Sequence, residues 1–157
     1  TFDKLELNEQ WCNWFSGFTD GEGCFYIDPQ SHSKSVGICF TICLRADDRA
    51  VLDDAKIKLM CGNVYYLSSK GYRDKSGYRR SDLVKWTVGR IMDHKNIIVP
   101  FFDTYPLRSK KANDYVLWKM ALDIIVDGGH LLEDGRREVV RIRDEMKAMR
   151  QYRVMEN

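Results

Sequence analysis

The sequence holds no apolar run longer than about six residues, and that one, "IIVPFF", contains a proline. A bilayer span needs roughly 20 apolar residues, so no membrane-crossing helix is expected. No basic-then-apolar leader opens the sequence, so no signal peptide is expected. The five cysteines contain no CxxC. Cys39 and Cys43 lie four apart in a stretch that reads as a strand, and such a step of roughly 13 Å is too long for one zinc ion. His32, His94 and His130 show no ligand spacing either. Free thiols in a reducing intracellular compartment are the expectation, and an organelle or a prokaryotic cytoplasm both fit. GxSxG, a recognisable Cys/His pairing and a P-loop are also missing. That argues against a nucleophilic side-chain hydrolase and against a nucleotide cofactor.

What is present suits one folded domain, 1–157, with 44% apolar and 31% charged residues. The net charge is only +2, but its spread is uneven. Residues 1–29 carry one Lys against six acids, whereas residues 70–95 carry eight Lys or Arg against three. Residues 136–153 carry seven against three. An acidic end and two basic stretches suggest an anionic partner better than the total does.

Trp11, Trp14, Phe15 and Phe18 recur at helical spacing, with Asn8 as a candidate N-cap and Gly21 and Gly23 ending the helix. "CFYIDPQ" and "SVGICFTICLR" read as two strands. Alternation sets Phe25, Ile27, Ile38, Phe40 and Ile42 against Cys24, Tyr26, Asp28, Gln30, Cys39, Thr41 and Cys43. Asp47 or Asp48 then caps a helix with the stripe Val51, Leu52, Ala55 and Leu59, closed by Gly62. "NVYYLSS" and "DLVKWTVG" form a second strand pair around a basic loop, followed by a helix, "IMDHKNIIVPFF", interrupted by Pro100. Two more helices follow, with packing faces Tyr115, Trp118, Ala121, Leu122 and Ile125, then Val139, Ile142, Met146 and Met149. The order implies an α+β domain.

Three constellations carry chemistry. Asp20 and Glu22 end a helix, where partial negative charge already repels carboxylates. Gly17 and Gly21 leave that end nearly bare, so a second helix can approach closely. If that helix were a copy, the acids would meet, and an oxygen-loving cation such as Mg²⁺ or Ca²⁺ would relieve the repulsion. An exposed acidic turn is the alternative. The second constellation is the polar sheet face of Tyr26, Asp28, Gln30, Thr41, Lys85 and Thr87 beside a basic loop. These side chains can contact base edges and phosphates, or simply face solvent. The third is "RSKK", Arg108 to Lys111, which puts cations at a helix start, again the unfavourable end. A lysine there can stabilise developing phosphodiester charge, or merely be solvated.

The stretch "FSGFTDGEG", residues 15–23, resembles the signature of the LAGLIDADG homing endonucleases, whose recurrent form is close to "LAGFIDGEGSF". Gly17, Phe18, Asp20, Gly21, Glu22, Gly23 and Phe25 agree, while Phe15, Ser16, Thr19 and Cys24 differ. "LRADD", "GNVYY", "IIVPFF" and "YPLRSKKAN" follow in family order, so the resemblance covers nearly the whole chain.

The resemblance implies an αββαββα core, a four-stranded antiparallel saddle-shaped sheet lying on DNA, and C-terminal helices. One signature implies a homodimer on a long pseudo-palindromic double-stranded site, with Gly17, Phe18, Asp20 and Gly21 at the helix contact. Glu22 is implied as the metal-binding catalytic acid, with the Gly23 carbonyl beside it and Asp20 in a structural role. Mg²⁺ is the implied cofactor, and Ca²⁺ or Mn²⁺ can take its place. Arg108 and Lys110 lie near the family's basic active-site position, which Lys111 could equally fill. Implied DNA contacts are Tyr26, Asp28, Gln30, Thr41, Arg73, Lys75, Arg79, Lys85, Thr87 and Lys111. A glutamine that holds water in some relatives is replaced by Leu44, with Arg45 beside it. An RNA-binding intron maturase of the same fold, without cleavage, is the alternative.

Overall fold

The computed structural model describes residues 1–29, 36–73, 75–77 and 80–150. Gln30 and Arg79 therefore lie outside the described residues. The core elements are α1 (Glu9–Glu22), β1 (Gly23–Pro29), β2 (Val36–Arg45), α2 (Arg49–Leu59), β3 (Asn63–Leu67) and β4 (Leu83–Val88). After them come α3 (Ile91–Asp93), a π-helical turn (His94–Ile98), α4 (Val99–Thr104), α5 (Lys111–Val126) and α6 (Glu133–Arg150). The strands form one antiparallel sheet in the order β1-β2-β4-β3. The expected α+β class and αββαββα order are present.

Period-two burial builds this sheet. Phe25, Ile27, Ile38, Phe40, Ile42, Val84, Trp86 and Val88 are buried on one face. The helices cover that face, and an aromatic cluster fills the space between. Phe25 stacks on Phe40 at 4.7 Å, and Trp86 meets Phe40 edge-on at 5.7 Å. Fully burying one such side chain contributes about 1.5–3 kcal/mol. Trp118, buried on α5, closes the other side at 5.3 Å from Phe25.

Several local details differ from the sequence reading. Asn8 does cap α1, its Oδ1 accepting from the Trp11 N–H at 3.2 Å. The aromatic stripe of α1 splits, however. Phe15 is fully buried, while Trp14 is 45% exposed and stacks on Phe18 at 5.2 Å. Gly21 lies inside α1, and the helix stops at Gly23 in an extended conformation. Asp48 stands at the N-cap of α2 but makes no side-chain cap hydrogen bond. The left-handed cap of α2 is Met60, two residues before Gly62. Pro100 does not interrupt its helix. It sits in the first turn of α4, and the irregularity lies upstream in the π-helical turn, where the ladder adjusts to a residue without an N–H. The tyrosine, tryptophan and aliphatic face of α5 is buried as expected, but Met149 on α6 is 46% exposed.

His94, in the π-helical turn, is fully buried. Its Nε2–H donates to the Ile38 carbonyl at 3.1 Å, and its ring meets Trp118 edge-on. Burial pulls its pKa down to about 4, against the opposing pull of that hydrogen bond. In the unfolded chain histidine titrates near 6.5. As pH falls below that value the unfolded state gains a proton first. The stabilisation from neutral His94 is thus complete above the unfolded value and disappears between it and about 4. The loss amounts to about 3 kcal/mol. Denaturant unfolding across this window should show the His94→Gln variant with a flatter acid limb than wild type. Parallel limbs would exclude His94 as the cause.

Candidate active site

The two helix ends with unfavourable charge turn out to face one another. The Asp20 carboxylate, in the last turn of α1, accepts from the Arg108 N–H at 2.9 Å through Oδ2. Its Oδ1 accepts from the Ser109 N–H at 3.0 Å and the Ser109 hydroxyl at 2.7 Å. One turn earlier, buried Ser16 donates to the Tyr105 carbonyl at 2.9 Å. In return, the Lys111 ammonium, at the start of α5, donates to the Gly23 carbonyl at the end of α1. An acid meets the positive end of α5, and a cation meets the negative end of α1.

Burial tends to raise the Asp20 pKa, but the Arg108 N–H and the two Ser109 donors outweigh it and hold the carboxyl below the usual range. Asp20 therefore stays ionised, with both oxygens occupied. Asparagine in its place offers one acceptor and turns an N–H toward a donor. We expect Asp20→Asn to lower stability by about 1–3 kcal/mol, read as a lower denaturant midpoint. An unchanged midpoint would show that the clasp contributes nothing.

Glu22 differs from Asp20 in every respect. It is exposed, and among the described residues it makes no hydrogen bond or ion pair. Gly23 is a steric requirement: a Cβ there would stand 2.5 Å from Thr19 Cγ2 and 2.8 Å from the Thr19 carbonyl oxygen. Beside this end lies a cavity of about 540 Å³ lined by Asp20, Gly23, Cys24, Lys110, Lys111 and Arg150, among others. Arg150 closes one wall, donating to the Phe25 carbonyl at 2.6 Å and pairing with Asp114 at 3.0 Å. No cluster of three or more His, Cys, Asp or Glu able to hold a metal occurs among the described residues. The oxygen donors of this one helix end, Glu22 and the Gly23 carbonyl, are of the type that Mg²⁺ and Ca²⁺ take, and are too few to encage either.

Those of the predicted sheet residues that are described share one face. Cys24, Thr41 and Thr87 form one row, continued by Asn63 on β3. Cys43, Lys85 and Tyr65 form the next. Tyr26 lies opposite Cys39, and the Lys85 ammonium stands 5.9 Å from its ring centroid. Hydrogen bonding with the Cys39 thiol, followed by burial, pushes the Tyr26 phenol up to about 12, so it stays neutral. Asp28 is exposed on the same face. Thr41 is an exception to the expected accessibility, being buried between its neighbours at 4% exposure. In the basic loop Lys75 is exposed, and Arg73 donates to the Gly77 carbonyl at 2.9 Å. Leu44 is paired with Val84 on the covered face, so the residue that follows, Arg45, carries the open face and pairs with Asp47 at 3.2 Å.

Sequence reasoning missed several of these residues. Asn63 and Tyr65 were legible by alternation once β3 was in register with β4. Ser109 stood inside the quoted "RSKK" without a role, and Arg150 inside the basic C-terminal stretch. Gly17 and Gly21 are exposed on α1, and apart from the helix's own backbone a Cβ on either would meet no atom of the described residues within 4 Å. All five cysteines are free. No described helix is long and apolar enough to cross a membrane.

Comparison with known proteins gives this geometry a family. Probable intron-encoded endonuclease 2 of Neurospora crassa is 29% identical over 134 residues, covering 85% of this chain and 27% of its own length. Probable intron-encoded endonuclease Cox1-I1b of Schizosaccharomyces pombe is 30% identical over 142 residues, covering 88% of this chain and 34% of its own. The I-LtrWI LAGLIDADG homing endonuclease bound to target DNA superposes with a TM-score of 0.71 at 29% identity, over 89% of this chain and 44% of that one. The I-GzeII homing endonuclease in complex with its DNA target shares the fold, with a TM-score of 0.75 at 24% identity, over 93% of this chain and 47% of that one. The chain thus spans about a third or less of these curated relatives and under half of the solved chains. The LAGLIDADG endonuclease family model matches residues 15–122, more than half of the chain. The chain belongs to the LAGLIDADG endonuclease family.

Proposed function

We propose that the protein is a site-specific double-strand DNA endonuclease that hydrolyses phosphodiester bonds with a divalent metal. The observation that carries this reading is the contrast between two acids on one helix end. Asp20 is consumed by the α5 clasp, whereas Glu22 stands exposed without a partner among the described residues. Relatives described as intron-encoded endonucleases, and one bound to target DNA, support the same reading.

Glu22 and the Gly23 carbonyl are the proposed metal donors, with Mg²⁺ as the natural ion and Ca²⁺ or Mn²⁺ as substitutes. Bound there, the ion supplies Lewis acidity and an activated water. Two donors per helix end suit a site shared between two signature helices. The open Gly17 and Gly21 face of α1, with Trp14 and Phe18 beside it, is the proposed contact with a second copy. A two-fold pair reads a nearly palindromic site. Lys111, rather than Arg108 or Lys110, is the proposed active-site cation, because its ammonium reaches the end of α1. The polar sheet face is the proposed DNA surface. There Tyr26, Asp28, Thr87, Lys85, Asn63 and Tyr65 meet base edges, and Arg73 and Lys75 meet phosphates. A reducing compartment is consistent with the free thiols.

Selection of cleaved sites from a random DNA library in Mg²⁺ tests the proposal, with Glu22→Gln as the inactive control. Cleavage at a long, nearly symmetric site is expected. Tight binding to an intron RNA with no cleavage of any DNA would favour the maturase reading instead.

A further inference from the structure

The Lys111 ammonium rests on an oxygen with a second claim on it. Its acceptor, the carbonyl of buried Gly23, is also one of the two oxygen donors proposed for the metal. An ammonium and a hard divalent ion seek the same feature, oxygen lone pairs at the negative end of a helix. The carbonyl oxygen has two lone pairs, so what sets the two cations against one another there is charge. A single and a double positive charge about 4 Å apart repel enough to weaken binding by roughly tenfold or more, even at the dielectric of water.

We infer that Lys111 and the divalent ion exclude one another at the Gly23 carbonyl, so that Lys111 is the resident cation of the ion-free site and swings into the adjacent cavity when the ion binds. This rests on the reading of Glu22 and Gly23 as metal donors. The backbone of Lys111 is held in place, because Asp20 anchors Arg108 and Ser109 and the Ser109 Oγ accepts from the Lys111 N–H at 3.1 Å. The exchange is therefore a side-chain motion, which a four-carbon stem readily makes. The space it needs exists in the cavity of about 540 Å³ that Lys111 itself lines. Arg150, in the same cavity, does not substitute at Gly23, being tied to Phe25 and Asp114. The exchange couples charge to loading. Without the ion, the end of α1 is neutralised by Lys111. With the ion, one more positive charge faces the cavity.

Mn²⁺ binding to the free protein, followed by electron paramagnetic resonance, tests the exchange. Lys111→Met should bind Mn²⁺ about tenfold more tightly than wild type or better, while Lys110→Met changes affinity by no more than about threefold. Glu22→Gln should bind it more weakly. Equal tightening in both lysine variants would mean a general field effect and overturn the exchange. So would an unchanged Lys111→Met affinity alongside a weakened Glu22→Gln, which leaves the metal reading intact. An unchanged Glu22→Gln affinity overturns the exchange and the metal reading together. A second readout needs no variant to fold. The ¹⁵N signal of the Lys111 ammonium in wild type should be protected without the ion and lose protection on Mg²⁺ addition. Protection that persists at Mg²⁺ saturation overturns the proposal.

Discussion

Glu22→Gln is expected to abolish DNA cleavage while leaving binding to the same DNA intact. The loss should reach about a thousandfold or more, on the scale of removing a preorganised group that stabilises transition-state charge. Binding should survive because the proposed phosphate and base contacts are spread over the sheet face and basic loop, away from Glu22. Stability should also survive. Glu22 is exposed and makes no hydrogen bond or ion pair among the described residues, so nothing is left unsatisfied by amidation. Removing a negative charge from a helix C-terminus should even stabilise α1, by about 0.3–1 kcal/mol. The measurements are cleavage rate, DNA affinity and melting temperature on one preparation. Loss of binding together with cleavage would make Glu22 a structural residue. Equal cleavage by both proteins would end its assignment as a metal donor.

Gly17→Leu should leave only monomers if α1 makes the proposed contact between two copies. Gly17 and Gly21 lie four apart on the outer face of α1, and a Cβ on either meets nothing within 4 Å. Among the described residues, therefore, nothing packed against them requires these positions to be glycine. They carry a helix-propensity penalty of about 0.5–1 kcal/mol each relative to alanine. Gly17→Ala should accordingly raise the melting temperature of the isolated fold. Gly17→Leu should keep the fold but hold a second helix at arm's length, so that sedimentation equilibrium reports monomers and cleavage disappears. An unchanged assembly state in the leucine variant would move the interface elsewhere. The pair of variants separates folding from association, since the two effects have opposite signs only if the bare face serves a partner.

The local elements were legible because each is encoded by a short-range periodicity. Asn8 caps α1 from within one turn, and the α5 stripe from Tyr115 to Ile125 buries the residues its spacing names. Strand alternation correctly separated Phe25, Phe40 and Ile42 from Tyr26, Thr41 and Cys43, because a pleated chain can point its side chains only two ways. The signature itself was legible as a charge anomaly, two acids where a helix end disfavours them.

Contacts across long stretches of chain were not legible. Asp20 meets Arg108 across 88 residues, and Lys111 meets Gly23 across the same span. No local pattern distinguishes Lys111 from Arg108 or Lys110, because which cation reaches α1 depends on the turn that Asp20 holds. The split of the α1 aromatics has the same origin. Trp14 and Phe15 are neighbours in one helical stripe, yet the packing of Phe101 and Trp86 around Phe15 covers one and leaves the other open. The burial of Thr41 follows from the strand order, which sets it between Cys24 and Thr87. Periodicity assigned each residue a side. Only the assembled tertiary packing assigned it a partner, because side-chain hydrogen bonds and ion contacts form between elements whose relative placement is set by burying the whole core at once.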